Sequence, residues 1–458
     1  MSVVRRAADL LSGVVFRTVE VRRADPEPTG PALILASHGG GLADILAVVD
    51  SSDRFPRFLA RDVIWRLPGG AAVMSWVRAI PVHRRQDHGG SADNADMFAE
   101  AVAGLAEGDV LAIYPEGESS PEPRLAPLRT GAARIALQAL AAGIDITFVP
   151  TGLHYFDVSV LRGRCFVDIG PTFTCTSAVT AARQAAGSEL GEPSPTNHAL
   201  VKAVTGVLEQ HLSDVADEYD GWEQRRRYEV AATTYLRHQT DSLGASTSYE
   251  LVATTASQIA RAPQAQRERI DVDVRALEAE LEILGLSADL VSEASLAGPA
   301  LARQTGLMAA LALPGAYGLL VNSVPMLLIR AASMSGMAPA TAATAKPAIA
   351  TIAFPAAWAV LGRIGYRWHG PIGAAAAALS GPASLIAAVA LGERAQLMFY
   401  LGRAMRRARG PMLDRVVSAR DAVVSSVAAG LAAEPHPRSP AAERAAVSAA
   451  DATREAGY

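Results

Sequence analysis

Residues 32–44 read ALILASHGGGLAD, and the rest of the predicted α/β fold is organised around this stretch. The apolar run at 32–36, closed by glycines, is typical of a buried strand. We therefore predict a strand, a tight glycine loop and a helix that begins near Leu42. His38 then lies in the loop. Asp44 lies in the first turn of the helix, where the helix dipole favours a carboxylate.

This placement points to acid–base chemistry by His38 and Asp44. A carboxylate beside a histidine fixes its tautomer and stabilises the imidazolium ion. Two other interpretations stay open, a loop histidine near a surface aspartate and the oxyanion loop of a serine hydrolase, which HGGG resembles. A serine hydrolase needs a G-x-S-x-G motif further along. The sequence GESSP at 117–121 lacks the closing glycine, which disfavours a hydrolase.

A second stretch, at 110–139, reads VLAIYPEGESSPEPRLAPLRTGAARIALQA. It predicts a strand, a Pro-Glu-Gly turn, a proline-rich loop and a helix from about Thr130. Further strands are expected at 144–157 and 163–173, and an amphipathic helix at 95–108. This alternation predicts an α/β layer, a mixed sheet flanked by helices.

Four blocks, taken in order, resemble the glycerolipid acyltransferase family that makes phosphatidic acid. They are His38 with Asp44, RAIPVHRR at 78–85, Tyr114-Pro115-Glu116-Gly117, and FVPTGLHY at 148–155. The family contains glycerol-3-phosphate and 1-acylglycerol-3-phosphate acyltransferases with a PlsC-like domain. The resemblance covers roughly residues 15–175 well and the apolar C-terminal part loosely.

The spacing in the first block points to one subgroup of this family. Five residues separate His38 from Asp44, whereas four are commonest in the family. The longer spacing resembles the fungal glycerol-3-phosphate/dihydroxyacetone-phosphate acyltransferases and their bacterial relatives. That subgroup carries a run similar to EPRLAPLRTGAARIAL, found here at 122–137. The chain departs from the pattern in having glycines after His38, and Arg78 where the family has a glycine.

The resemblance implies roles for particular residues. His38 and Asp44 would be catalytic, and Arg84, Glu116, Gly117 and Arg129 would bind the substrate. A guanidinium suits a phosphate dianion, and a glycine lets a backbone approach closely. The backbone N–H groups of Gly39, Gly40 and Gly41 are candidates for stabilising an oxyanion. The plain alternatives are a solvated arginine face and a turn carboxylate that caps a helix.

The implied reaction moves a fatty acyl group from acyl-CoA, or from acyl carrier protein, to a hydroxyl of glycerol-3-phosphate or 1-acylglycerol-3-phosphate. It needs no covalent intermediate, no metal and no cofactor beyond the thioester co-substrate. The expected partners are acyl-CoA, glycerol phosphate or lysophosphatidate, and a lipid membrane. Two alternatives stay open: another lysophospholipid or glycolipid acceptor, and a membrane protein whose activity has lapsed. A net charge of −4 argues against a nucleic-acid partner.

Composition shifts along the chain predict five regions. They are an amphipathic helix and first strand at 1–24, the catalytic domain at 25–176, a helical region at 177–300, membrane-associated apolar helices at 301–395, and a basic helix with a disordered tail at 396–458. The helix at 2–17 either lies on a membrane surface or packs on the protein. The two cysteines, Cys165 and Cys175, are expected to be unpaired.

Three uncharged stretches are candidates for membrane segments. Residues 305–329, read as one helix, are long enough to cross, whereas 347–362 are short and broken by prolines, and 370–392 are rich in alanine and glycine. A basic tail follows, with Arg394, Arg403, Arg406, Arg407, Arg409 and Arg415. The positive-inside rule and a cytosolic acyl donor predict a cytoplasmic-membrane protein with its catalytic domain on the cytoplasmic side. The number of crossings should therefore be even, with either 347–362 or 370–392 re-entrant or interfacial. A soluble helical hairpin is the alternative.

Overall fold

The computed structural model describes residues 2–66, 69–83, 94–118, 122–157, 160, 162–187, 190–239, 247–284, 298–337, 339–407 and 411–433. The chain divides into two compact units, Met1–Gly221 and Trp222–Tyr458. Each unit is described by itself.

In the described part of the first unit, eight strands form one mixed sheet. They are β1 (Phe16–Arg23), β2 (Ala32–Ala36), β3 (Arg57–Arg61), β4 (Ile80–Val82), β5 (Val110–Ile113), β6 (Thr147–Tyr155), β7 (Gly163–Ile169) and β8 (Phe173–Thr174). The order across the sheet is β1-β7-β6-β2-β5-β3-β4, with β8 beside β6. The strands from β6 to β4 in this order are parallel, and β7 is antiparallel to β6.

The chain reverses its direction across the sheet at β2. From β2 it continues to β3 and β4 on one side, whereas from β5, the neighbour of β2, it crosses to β6 on the other side. The loops that follow β2 and β5 therefore leave in opposite directions. Ligands of open α/β sheets bind in the crevice that such a reversal opens at the carboxyl ends of the strands.

Helices cover both faces of this sheet. They are α1 (Ser2–Val15), α2 (Leu42–Asp50), a 3-10 helix (Asp62–Arg66), α3 (Gly70–Trp76), α4 (Ala95–Ala106), α5 (Gly131–Ala141), α6 (Cys175–Ala186) and α7 (His198–Ser213). Leu33 and Leu35 of β2 face a core shared with α4 to α7, and Ile34 faces a second core with α2. Burial on both faces explains why the strand is apolar throughout.

Several local predictions are confirmed. The strand at 32–36 and the helix that begins at Leu42 lie where the sequence places them. Both cysteines are buried and free. Helix α1 packs on the protein: Val4 and Val15 are buried, and Arg5 donates a hydrogen bond to the backbone oxygen of Ser52. The apolar side of α1 is therefore used within the fold.

The second unit combines a helical bundle with an apolar insert. The bundle contains α8 (Trp222–His238), α9 (Tyr249–Ala260), α10 (Gln264–Leu284) and α14 (Pro411–Ala432). Helices α10 and α14 are antiparallel, because Arg415 pairs with Glu280 at 3.3 Å and Gly430 lies against Ile270. The end of α10 therefore meets the start of α14. The last residue of α10, Leu284, and the first residue of α14, Pro411, therefore lie at the same end of the bundle.

The described part of the insert contains α11 (Gly298–Val321), α12 (Ser323–Met334) and α13 (Pro339–Arg407). The prediction of one continuous helix over 305–329 is wrong, because the helix breaks at Asn322. The Asn322 side chain is buried and donates to the backbone oxygen of Gly318, and it accepts from the indole N–H of Trp358. A polar contact between helices thus accompanies the break.

The predicted proline break within 347–362 is also wrong. Helix α13 continues through Pro347 and Pro355 and departs from helical geometry at His369 and Gly370. Residues on either side of this break pack together, since a Cβ on Gly365 would lie 2.3 Å from the backbone oxygen of Gly373. Such close backbone approach is typical of membrane helices. Among the described residues, two stretches, Ala302–Val321 and Thr344–Gln396, are long and apolar enough to cross a membrane.

Candidate active site

His38 and Asp44 meet at the carboxyl end of β2. The chain leaves the strand at Ala36, turns through Gly41 with φ +61°, and enters α2 at Leu42. Asp44 in the first helical turn is fully buried, and the His38 side chain is 17% exposed. His38 Nδ1 lies 2.7 Å from Asp44 Oδ2. The structure therefore brings together the two residues that the sequence predicts to act as a pair.

Two further groups donate to the Asp44 carboxylate. The backbone N–H of Gly40 lies 3.0 Å from Oδ1 and 2.9 Å from Oδ2, and the Tyr155 hydroxyl lies 2.6 Å from Oδ1. A buried carboxylate is stable as an anion when donors surround it. The hydrogen bond to Asp44 occupies Gly40 N–H, so of the three glycines that the sequence predicts as oxyanion donors, Gly39 and Gly41 remain.

These contacts define the tautomer of His38. Because Asp44 is surrounded by donors, it acts as the acceptor toward Nδ1, and Nδ1 carries the proton. The basic lone pair then belongs to Nε2. A histidine held in this way can accept a proton at Nε2 while its partner carboxylate stabilises the resulting cation.

Tyr114 contacts the other side of the histidine. Its ring stacks on the His38 imidazole, with centroids 4.4 Å apart and planes 22° from parallel. Burial raises the pKa of the Tyr114 phenol well above its ordinary value, so this side chain is neutral at physiological pH. Among the described residues its hydroxyl has no hydrogen-bond partner. Tyr114 therefore contacts the imidazole through its ring alone.

Glu116 connects the histidine loop to the proline-rich loop. Its Oε1 accepts from the backbone N–H of His38 at 2.7 Å, and its Oε2 accepts from that of Ala126 at 2.9 Å. The residue is 3% exposed, and this burial raises the pKa of its carboxyl group to about 7. The structure thus gives Glu116 a role in positioning the His38 backbone. Its predicted contact with substrate stays a prediction.

Gly117 and Arg129 lie side by side next to Glu116. Gly117 has φ +79°, and a Cβ there would lie 3.0 Å from Arg129 Cγ. Both the conformation and the close contact favour glycine at this position. The Arg129 side chain is largely exposed and lies 3.6 Å from Glu118. Its guanidinium is therefore held by a surface ion pair, which is a weak interaction.

The other arginines of the RAIPVHRR block at 78–85 differ in position. Arg84 and Arg85 lie outside the described residues. Arg78 has φ +54°, a conformation that glycine adopts readily, which accounts for the glycine expected there by resemblance. Its guanidinium pairs with Asp109 at 3.0 Å. Arg78 thus takes part in an ion pair at the sheet edge. In the part of the chain that the structure describes, no group of three or more His, Cys, Asp or Glu side chains is arranged as a metal site.

Sequence reasoning did not assign a role to Tyr155 or Tyr114. Both lie within quoted motifs, Tyr114 directly before Pro115 and Tyr155 at the end of β6. Both residues lie at or just after the end of a strand, and this position could have indicated that they belong to the site. Parallel strands bring their carboxyl ends to one edge of the sheet.

Parts of this chain are similar to known proteins. A family model described as Acyltransferase matches residues 18–154. The chain is 36% identical over 132 residues to glycerol-3-phosphate O-acyltransferase 2 of Saccharomyces cerevisiae, a match that covers 28% of this chain and 17% of the yeast protein. It is 31% identical over 80 residues to an uncharacterized acyltransferase of Schizosaccharomyces pombe, covering 17% of this chain and 12% of that protein. The chain thus matches less than a fifth of the length of either relative.

Among solved structures, one similar chain is the 1-acyl-sn-glycerophosphate acyltransferase of Thermotoga maritima. The match has 16% sequence identity and a TM-score of 0.30. It covers 45% of this chain and 80% of that chain.

Proposed function

We propose that the chain is a glycerolipid O-acyltransferase, because residues 18–154 match the acyltransferase family model. It transfers a fatty acyl group from acyl-CoA or acyl carrier protein to a hydroxyl of glycerol-3-phosphate or 1-acylglycerol-3-phosphate. The observation that carries the proposal is the hydrogen bond between His38 Nδ1 and the fully buried Asp44. This pair follows β2, where the chain reverses its direction across the sheet.

The first step is nucleophilic attack by the acceptor. His38 Nε2 accepts the proton of the glycerol hydroxyl as its oxygen attacks the thioester carbonyl carbon. Asp44 stays anionic and stabilises the imidazolium ion. The backbone N–H groups of Gly39 and Gly41 are the proposed donors to the tetrahedral oxyanion.

The second step is collapse of the tetrahedral intermediate. The carbon–sulfur bond breaks, and the proton on Nε2 passes to the leaving thiolate. An ester and a free thiol are the products, and His38 returns to its neutral form. Charge and protons balance without a covalent acyl-enzyme, and no cofactor or metal is required.

The phosphate end of the acceptor is assigned to Arg129, with Arg84 as a second candidate. Arg129 is the largely exposed cation beside the Gly117 turn, and its partner Glu118 is itself exposed. Exchange of a weak surface ion pair for a phosphate dianion favours binding. We propose that Glu116 holds the histidine loop in register with this turn.

The second unit supports membrane attachment. The stretches Ala302–Val321 and Thr344–Gln396 are apolar, and the end of α10 and the start of α14 lie at the same end of the bundle. A segment that begins and ends at the same place crosses a bilayer an even number of times. We propose a cytoplasmic-membrane protein whose catalytic unit lies on the cytoplasmic side, where acyl-CoA is available.

The test is acyl transfer by detergent-purified protein. Labelled acyl-CoA is offered separately with glycerol-3-phosphate, 1-acylglycerol-3-phosphate and dihydroxyacetone phosphate. The variant His38→Ala should lose about 10²–10⁴-fold in rate, while His198→Ala, at an exposed histidine of α7, should keep full activity. Absence of transfer to every acceptor from folded protein, with acyl carrier protein also tried, would contradict the proposal.

A further inference from the structure

We propose that Tyr155 is a positioning residue that sets the basicity of His38 through Asp44. The inference rests on the proposed function and deepens it. Its hydroxyl lies 2.6 Å from Asp44 Oδ1, although the two residues are 111 positions apart in the sequence. The remaining oxygen, Oδ2, faces His38 Nδ1 at 2.7 Å. Tyrosine and histidine therefore share one carboxylate, each on its own oxygen.

The Tyr155 ring is fixed from several directions. Its backbone pairs with Cys165 across the antiparallel strands β6 and β7, and its side chain is buried. The ring stacks on buried Phe16, with centroids 6.0 Å apart and planes 10° from parallel. A phenol held in this way cannot turn away from Asp44 without disturbing the sheet, so the hydroxyl is a preorganised donor.

Tyr155 remains a proton donor throughout the working pH range. Burial raises the pKa of its phenol well above the ordinary value, and the negative charge of Asp44 raises it further. The hydroxyl thus donates to Asp44 whenever the aspartate is ionised. Donation to an anion spreads its charge and reduces its attraction for other protons.

The consequence for His38 has a definite sign. Asp44 stabilises the imidazolium ion, and the Tyr155 hydrogen bond weakens that stabilisation. Tyr155 therefore makes the proton on the imidazolium ion easier to release than it would be beside Asp44 alone.

Tyr114 provides a comparison within the same site. It is also a tyrosine near Asp44 and is partly buried, but its hydroxyl has no hydrogen-bond partner among the described residues. Tyr114→Phe therefore removes an oxygen that makes no hydrogen bond to Asp44 or His38 in the structure. Tyr155→Phe removes the oxygen that donates to Asp44. A remote control is Tyr317→Phe, which loses a hydrogen bond to Ser380 within the apolar insert.

The kinetic test compares pH profiles of acyl transfer for these variants. We expect Tyr155→Phe to lower kcat about 10-fold, from the usual strength of a hydrogen bond to a charged group, with little change in the KM of the acceptor. The acid limb of its kcat profile should move to higher pH, because the uncompensated aspartate holds the imidazolium proton. Tyr114→Phe should not move that limb, and Tyr317→Phe should match the wild type.

A spectroscopic test separates this inference from the proposed reaction. In protein with ¹⁵N-labelled histidine, the Nδ1 proton of His38 should give a downfield resonance that disappears in His38→Ala. Tyr155→Phe should shift it, and Tyr114→Phe should shift it less. An unchanged resonance together with an unchanged pH profile in folded Tyr155→Phe would overturn the proposal. A shifted resonance without acyl transfer by the wild type would overturn only the proposed function.

A second substitution tests the same role if the Tyr155→Phe variant does not fold. Incorporation of 3-fluorotyrosine at position 155 keeps the hydroxyl and makes it a stronger donor. The same argument then predicts the opposite sign, an acid limb at lower pH. A limb that stays in place with fluorotyrosine would contradict the role of Tyr155.

Discussion

Glu116 Oε1 accepts a hydrogen bond from the backbone N–H of His38 at 2.7 Å, across 78 positions of sequence. A buried acid of the Pro-Glu-Gly turn thus fixes the backbone of the histidine directly. Because the pKa of this acid is about 7 in the folded protein, its ionisation is linked to stability.

The first prediction concerns the pH dependence of that stability. The Glu116 pKa is raised from 4.5 to about 7, so folding binds a proton between these values. The stabilisation linked to this proton is complete below about pH 4.5 and is lost as the pH rises through 7, on the order of 3 kcal/mol. Glu116→Gln should remove this component. Thermal unfolding in detergent from pH 4.5 to 8 measures it, and equal pH dependence in both proteins would refute it.

The second prediction concerns Asp44→Asn. The amide turns an NH₂ group toward donors or toward His38 Nδ1, so the imidazole loses its fixed tautomer. We expect kcat to fall about 10³–10⁴-fold, as when the acid of a catalytic triad is replaced by its amide, while the protein stays folded. Steady-state kinetics of acyl transfer measures this effect. Wild-type kcat in the variant would remove Asp44 from the mechanism.

The third prediction compares two glycines. Gly117→Ala places a Cβ on a residue with φ +79°, 3.0 Å from Arg129 Cγ. We expect a loss of about 1–2 kcal/mol in the free energy of unfolding and a weaker affinity for the acceptor. Gly30→Ala is the matched control, since a Cβ there meets nothing within 4 Å and its φ is not in the left-handed region. Equal stability of the two variants would contradict the argument.

The fourth prediction concerns Arg129. Arg129→Gln should raise the KM of a phosphate-bearing acceptor about 10-fold, the effect of losing one charge-assisted hydrogen bond, with a smaller change in kcat. Arg66→Gln is the control, because that exposed arginine pairs with Asp62. Acceptor titrations at saturating acyl-CoA separate KM from kcat. If both variants keep the wild-type KM, the phosphate is held elsewhere.

Much of the first unit could be predicted, because the residues that indicate its strands and helices are contiguous in the sequence. The apolar run before His38 and the glycines after it are contiguous, and they predict a strand and a helix start that the structure confirms at Ala36 and Leu42. The partners of Asp44 could be predicted only in part. Tyr155 reaches Asp44 through strand pairing across 111 positions, and no spacing in the sequence encodes that contact.

The helices of the apolar insert were predicted less well, because contacts between helices decide where they break. Asn322 carries no charge, so a search for uncharged stretches passes over it. Its amide nevertheless makes hydrogen bonds with the Gly318 backbone oxygen and the Trp358 indole N–H, and the helix breaks at this residue. Prolines mislead in the other direction, because they suggest a helix break where there is none. Pro347 and Pro355 suggest a break, yet α13 continues through both. Neighbouring helices can compensate a lost backbone hydrogen bond, and local sequence does not report them.

The antiparallel pairing of α10 with α14 makes the apolar insert separable from the bundle. The ion pair between Glu280 and Arg415 places the exit and entry points of residues 285–410 beside each other. A short Gly/Ser linker in place of those residues would leave α8, α9, α10 and α14 with their mutual contacts. We therefore expect the bundle to fold without the insert, and the shortened protein to stay in solution without detergent.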